Sequence, residues 1–249
     1  EQAPSDHYKG VVGINRSKVL LSAGLVADAD RTLVEASAAL ERTEMLTLLA
    51  EAELTRADVA LLAGNYRLAQ TISHTAVARL RRRNNRRATA LGELVMLRAD
   101  AEGGIRPDRL IRTADRLTKT FNELGLPDQA KLARLIAIEY ARPSLAGRPR
   151  PLPTISAAQP LDLRLYGRLV RTRLAFARGD REAGHRQARA GMADLMKHQA
   201  QFGSLDLQTS TAVHGVGLAA LAVTEEIAAG RPAAVLAWLE RARAISSRV

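Results

Sequence analysis

The sequence predicts an all-α fold, a right-handed superhelical solenoid of about five to six antiparallel helix hairpins. Composition is the first observation: 47% of the 249 residues are hydrophobic but only 3% are aromatic. The apolar surface therefore comes from Ala, Leu and Val, a mixture that favours helices over strands. Apolar stripes at helical spacing and a turn that recurs along the chain are the second and third observations. A single hairpin cannot bury its apolar face, so neighbouring hairpins must stack.

The clearest hairpin lies in "ELTRADVALLAGNYRLAQTISHTAVARL", residues 53–80. Leu54 and Leu61 belong to one apolar stripe, Gly64 interrupts it, and a second stripe begins at Tyr66 and Ala69. Two helices joined by so tight a turn must lie antiparallel. The pattern of Gly-x-Tyr followed by Ala three residues later resembles the tetratricopeptide repeat.

The same turn recurs along the chain, and the first three glycines are 40 residues apart, more than the usual repeat of ~34 residues. Pro107 follows the third turn at a position that favours the first residue of a helix. The predicted turns are at Gly24, Gly64, Gly104, Gly179 and Gly230.

A proline-rich segment divides the repeats. A helix is predicted from Pro127 to about Ala141, and residues 142–160 then hold five of the nine prolines. Proline removes a hydrogen-bond donor and restricts the residue before it, so this segment is either a mobile insertion or an extended surface strap. We predict a disordered or linker N-terminus at 1–10, repeats at 11–142, the insertion at 143–160 and further repeats at 161–249.

An arginine-rich segment, "RRRNNRR", lies between two predicted helices, one ending at Leu80 and the next beginning at Ala88. Cations near a helix C-terminus offset the partial charge of unpaired carbonyls, and Asn84 and Asn85 tolerate the left-handed conformation that ends helices. Polyanion or nucleic-acid binding is the alternative, but no aromatic residue for base stacking lies nearby. This basic corner consists of Arg81, Arg82, Arg83, Arg86 and Arg87.

No catalytic constellation is apparent. The chain has no cysteine, and its five histidines show no metal-ligand spacing. We therefore predict no catalytic residue, no cofactor and no metal in this chain. No apolar run approaches the ~20 residues that span a bilayer, and the predicted location is the cytoplasm.

Two segments near the C-terminus carry further signals. Gly203 interrupts one pattern, Ser204 is a candidate N-cap, and Asp206 would fall in the first turn of the next helix. The last helix, residues 235–248, is predicted to present Leu236 and Leu239 on one side, together with Ala242 or Arg243, and to need a neighbour to cover that face.

These two segments, "HQAQFGSLDLQTSTAVHG" and "AAGRPAAVLAWLERARAISSR", are similar to the repeat region upstream of a CHAT domain, a caspase- and separase-like peptidase module. Earlier stretches such as "GELVMLRADAEGG" also resemble repeats of that bacterial family. The resemblance implies that a His–Cys peptidase domain follows Val249 in a longer protein. The chain begins without Met and stops at the end of a helical pattern, so we expect a fragment.

The sequence therefore predicts a non-catalytic scaffold that binds a protein or peptide, as the regulatory arm of a CHAT-type peptidase. The net charge of +11 favours an acidic ligand, since guanidinium groups bind carboxylates bidentately. A sensor region of a bacterial transcriptional regulator is the alternative, and binding to nucleic acid is less favoured. The candidate ligand-binding residues on the first helices of the hairpins are Lys18, Asp58, Arg98, Tyr166 and Arg173.

Overall fold

The computed structural model describes residues 5–141, 150–204 and 210–246, and these contain helices but no strand. The chain divides into two compact units, unit 1 (Glu1–Ala133) and unit 2 (Arg134–Val249). The prediction of an all-α helical repeat is confirmed. The helices are α1 (Asp6–Ser22), α2 (Val26–Arg42), α3 (Leu46–Leu62), α4 (Tyr66–Arg81), α5 (Arg86–Glu102), α6 (Pro107–Glu123), α7 (Pro127–Tyr140), α8 (Leu161–Ala177), α9 (Arg181–Gln199), the 3-10 helix η1 (Thr211–Gly215), α10 (Val216–Ala228) and α11 (Pro232–Ser246).

Unit 1 is built from three hairpins, α1–α2, α3–α4 and α5–α6, and each hairpin packs against the next one along the chain. The first helices of the hairpins also contact one another in turn, α1 with α3 and α3 with α5. This stacking is the repeat arrangement that the sequence predicts. Pro107 begins α6, as expected for a residue whose missing N–H would have no partner there.

Every helix junction of unit 1 contains one residue in the left-handed conformation. The three predicted glycines have φ between 74° and 82°. Glu44, with φ 55°, and Asn84, with φ 51°, occupy the junctions midway between them, and Gly125 follows at φ 66°. The true structural period is therefore about 20 residues, one helix and one turn. The left-handed residues of unit 1 are Gly24, Glu44, Gly64, Asn84, Gly104 and Gly125.

Hydrogen bonds show why one left-handed residue is enough at each junction. After Gly64, the Asn65 amide donates back to the Ala60 carbonyl at 2.8 Å, the bond that closes a Schellman motif. The Asn65 side chain then accepts from the Leu68 amide at 3.2 Å and caps α4. One residue thus ends a helix and the next begins another, which gives a short and rigid corner.

Unit 2 contains the hairpins α8–α9 and α10–α11, and α10 packs against both α8 and α9. The predicted turn glycines Gly179 and Gly230 have φ 78° and 66°. Leu195 and Trp238 lie in its core. The buried Gln199 side chain of α9 donates to the Ile245 carbonyl of α11 at 3.0 Å, which joins the two hairpins.

The described part of the proline-rich segment, residues 150–160, is a strap across unit 2. Arg134 on α7 donates to the Pro151 carbonyl at 3.1 Å, and Arg171 on α8 donates to the Pro153 carbonyl at 2.9 Å. Ile155 lies so close to Gly167 that a Cβ there would come within 2.4 Å of the isoleucine Cδ1. Of the two alternatives, the strap is correct for these residues, and residues 142–149 lie outside the described part.

Several predicted boundaries need correction. Residues 1–10 are not all linker, because α1 begins at Asp6, where the Ser5 side chain caps it. The helix after the basic corner begins at Arg86 rather than Ala88, since Asn85 is its N-cap. Ser204 lies in a bend, and the predicted helix start at Asp206 falls outside the described residues.

The prediction for the last helix was wrong in its choice of face. Leu236 and Leu239 are 59% and 50% exposed, whereas Trp238 and Ile245 are 4% and 2% exposed. Ala242 is partly buried beside them, and Arg243 is exposed. Two apolar stripes run along this helix, and α9 and α10 cover the one that contains the tryptophan.

Candidate ligand-binding surfaces

The predicted ligand-binding residues of unit 1 form ion pairs between the first helices of successive hairpins. Lys18 on α1 lies 2.6 Å from the Glu51 carboxylate on α3. Asp58 on α3 lies 2.6 Å from the Arg98 guanidinium on α5. The equivalent 40-residue positions therefore form a ladder along the stacked first helices, at a partly exposed surface.

The predicted residues of unit 2 converge on Glu139, whose side chain is 5% exposed. The Tyr166 hydroxyl on α8 donates to this carboxylate at 2.6 Å, and the Arg173 guanidinium forms an ion pair with it. The predicted cations in both units thus have carboxylate partners already. A ligand carboxylate would have to compete with those partners, and ligand binding by these five residues stays a prediction.

The basic corner is partly engaged in ion pairs. Arg81 and Arg116 approach the nearly buried Glu93 carboxylate at 2.6 and 2.8 Å. Arg86, in the first turn of α5 where the helix dipole disfavours a cation, forms an ion pair with Glu123.

Three arginines of the corner differ from these two. Arg82, Arg83 and Arg87 are exposed, with no carboxylate within 4.0 Å in the described part of the chain. Asn84 has the left-handed conformation expected of it. The corner thus serves the helix junction, and it also leaves three guanidinium groups facing solvent.

A groove of about 470 Å³ lies along α1 and α2, and the sequence analysis missed it. Gly13 brings the helices together, because a Cβ there would lie 2.7 Å from the Ala36 Cβ. Tyr8 and Val12, 59% and 40% exposed, line one side. Their i,i+4 spacing was a usable signal that assigning residues 1–10 to a linker concealed.

A buried polar cluster in unit 2 was also missed. The His185 ring on α9 stacks on Trp238 of α11, with ring centroids 5.5 Å apart. Its Nε2 contacts the Glu226 carboxylate on α10, which Arg181 also approaches at 3.1 Å. Sequence reasoning noted Glu226 only as the neighbour of Glu225, since nothing local links it to a histidine 41 residues away. The cluster holds three helices together.

Positive charge is concentrated in unit 2. Residues 134–249 hold 17 of the 37 basic residues but only 9 of the 26 acidic ones, a net charge of +8. Residues 1–133 hold 20 basic and 17 acidic residues, a net charge of +3. Most of the excess charge therefore belongs to the less regular unit.

Metal and membrane signals were searched over the same described ranges. Within residues 5–141, 150–204 and 210–246, no group of three or more His, Asp or Glu side chains could hold a metal ion. None of the described helices is long and apolar enough to cross a membrane.

No protein-family model matches the chain, and the comparisons with curated proteins and with solved structures find no match.

Proposed function

We propose that the chain is a non-catalytic scaffold that binds an acidic protein or peptide, chiefly through unit 2. The observation that carries this proposal is the charge distribution, with +8 of the net +11 in residues 134–249. Helical hairpins that stack present long surfaces with many side chains in fixed positions. A surface with excess positive charge attracts and orients acidic partners.

Exposed arginines of unit 2 give the ligand its contacts. Arg178 at the end of α8 and Arg189 on α9 are exposed, with no carboxylate within 4.0 Å among the described residues. A guanidinium group presents two parallel N–H donors to a carboxylate, which makes the pair specific as well as strong. These two residues need not break an existing ion pair, unlike Arg98 and Arg173.

Fluorescence anisotropy tests this function with the full chain and two labelled peptides, one rich in Glu and one with Gln at every Glu position. We expect the Glu-rich peptide to bind, with an affinity that falls as salt rises, and the Gln-rich peptide to bind far more weakly. Equal binding of the two peptides would contradict the proposal.

Matched charge reversals locate the surface. The double variant Arg178→Glu and Arg189→Glu should weaken binding of the Glu-rich peptide by at least about tenfold, because two charge-assisted contacts are lost. The control Arg82→Glu and Arg83→Glu changes the net charge equally at the basic corner and should weaken binding much less. A larger effect at the corner, with tight binding of single-stranded DNA, would favour the polyanion alternative.

We also propose that the scaffold is the regulatory arm of a CHAT-type peptidase in the bacterial cytoplasm. The resemblance of residues 198–215 and 228–248 to the repeats of that family supports this. Sequencing the coding DNA beyond the Val249 codon tests it: a continuing frame with a His–Cys caspase-like domain is expected. A DNA-binding domain would instead support the transcriptional-regulator alternative.

A further inference from the structure

We propose that unit 2 binds a phosphate group in the pocket enclosed by the strap, α8 and α9. The pocket has a volume of about 240 Å³. Its polar lining includes Arg164, Arg168 and Arg171 from α8, and Gln187 and Asp194 from α9. The site is separate from the exposed arginines proposed to bind an acidic partner, and it does not depend on that function.

The spacing along α8 brings the three arginines together. Positions 164, 168 and 171 are separated by four and three residues, so their side chains leave the same face of the helix. Like charges at this spacing destabilise an isolated helix. The arrangement therefore needs negative charge from elsewhere.

The protein itself supplies only part of that charge. Among the residues that line the pocket, Asp194 is the one carboxylate. It forms an ion pair with Arg164 and lies 3.4 Å from Arg168. Arg168 donates its other bond to the Gln187 amide oxygen at 2.9 Å, a neutral acceptor. Three guanidinium groups thus face one carboxylate, an excess of two positive charges.

Arg171 is bonded to neutral acceptors. It donates to the Pro153 carbonyl of the strap at 2.9 Å and to the Gly167 carbonyl of its own helix at 3.3 Å. Burial, and then the nearby charge of Arg168, lower the pKa of Arg171. An anion in the pocket would relieve this unfavourable environment, because an opposite charge stabilises the protonated guanidinium.

Phosphate fits this chemistry better than a carboxylate. A phosphate monoester carries a charge of about −1.5 to −2 at neutral pH and three strong acceptor oxygens, which match two unneutralised guanidinium groups. Arginine meets such oxygens with paired N–H donors. A single carboxylate would neutralise only one of the two excess charges.

The same arginines also hold the strap, so the test must separate phosphate binding from a purely structural role. Asp194 allows this separation because it competes with any anion for Arg164 and Arg168. Replacing it by Asn leaves the Arg171 bonds to the strap and removes the competing charge. Phosphate binding should then become tighter, a gain that loss of structure cannot imitate.

Isothermal titration calorimetry of the full chain with inorganic phosphate, against chloride at matched ionic strength, provides the measurement. We expect saturable binding at one site. Arg168→Gln should weaken it by at least about tenfold, the loss of one charged hydrogen-bonding group, and Asp194→Asn should tighten it severalfold. Matched controls come from the inter-helix pair of unit 1 in which Arg56 lies 2.8 Å from Asp30. Arg56→Gln and Asp30→Asn make the same charge changes and should leave the affinity unaltered.

A second titration with phenyl phosphate identifies the source of the group. Binding of both compounds indicates that the pocket accepts a phosphate carried on a larger molecule, and binding of inorganic phosphate alone indicates the free ion. The proposal is overturned if phosphate binds no better than chloride, or if Arg168→Gln behaves like Arg56→Gln. It is also overturned if Asp194→Asn fails to tighten binding.

Discussion

Unit 1 and unit 2 use the same helix hairpins but differ in regularity and charge. In unit 1 a left-handed residue follows each helix at intervals of 20 or 21 residues, and acidic residues nearly balance basic ones. Unit 2 has an extended strap, a buried His185–Glu226 contact and a net charge of +8. The comparison teaches that regular spacing goes with charges used between helices. The irregular unit keeps arginines that its own carboxylates do not neutralise.

The largest effect is expected in the core of unit 2. Trp238→Ala should lower the free energy of unfolding by about 3–5 kcal/mol, since it removes a buried aromatic ring and leaves a cavity. Urea denaturation followed by circular dichroism measures the loss. Leu236→Ala, on the exposed face of the same helix, should cost less than about 0.5 kcal/mol. Equal losses would restore the face that the sequence predicted.

A smaller effect tests the turns of unit 1. Gly64 has φ 74°, and a Cβ there would meet no atom within 4 Å, so Gly64→Ala isolates the cost of the backbone conformation. We expect a loss of about 1–2 kcal/mol. Gly203, which has equal space without positive φ, supplies the control: Gly203→Ala should be nearly neutral. A neutral Gly64→Ala would argue against a strained left-handed turn.

The opposite change should stabilise unit 1. Glu44 is held at φ 55°, which costs a residue with a Cβ about 1–2 kcal/mol. Glu44→Gly removes that strain but adds freedom to the unfolded chain, so we expect a net gain of about 0.5 kcal/mol. Asn84→Gly should gain less, because asparagine tolerates this conformation. A loss of stability in Glu44→Gly would show that the glutamate side chain contributes elsewhere.

The smallest effect concerns pH. Burial raises the pKa of Glu53 despite the Arg79 guanidinium 3.4 Å away. The folded state therefore holds this proton more tightly than the unfolded state, and its contribution to stability falls as pH rises through the carboxyl range. Glu53→Gln should remove this loss and gain relative to the parent between about pH 4 and about pH 7. Denaturation at both pH values measures it. The same relative gain in Glu51→Gln, whose side chain is 47% exposed, would contradict burial as the cause.

Much of the hairpin architecture could be predicted because its determinants are local. Glycine marks the left-handed turns, and the 40-residue spacing of Gly24, Gly64 and Gly104 was visible in the sequence. Glu44 was not predictable in the same way, since glutamate carries no signal for positive φ. The 20-residue period therefore emerged only from the backbone.

The surfaces were harder to predict because they depend on partners distant in sequence. Two apolar stripes run along α11, and only the position of α9 and α10 decides that Trp238 rather than Leu236 is buried. The spacing of Arg164, Arg168 and Arg171 was visible, but Asp194 and the returning strap were not. Likewise, the carboxylate partners of Lys18 and Arg98 lie 33 and 40 residues away.

Hydrogen exchange of the full chain, with and without the Glu-rich peptide, tests most directly the claim that unit 2 is the ligand-binding region. The account predicts slower exchange of amides in α8–α11, with α1–α6 unchanged. Protection confined to α1–α6, or spread evenly over both units, would contradict it.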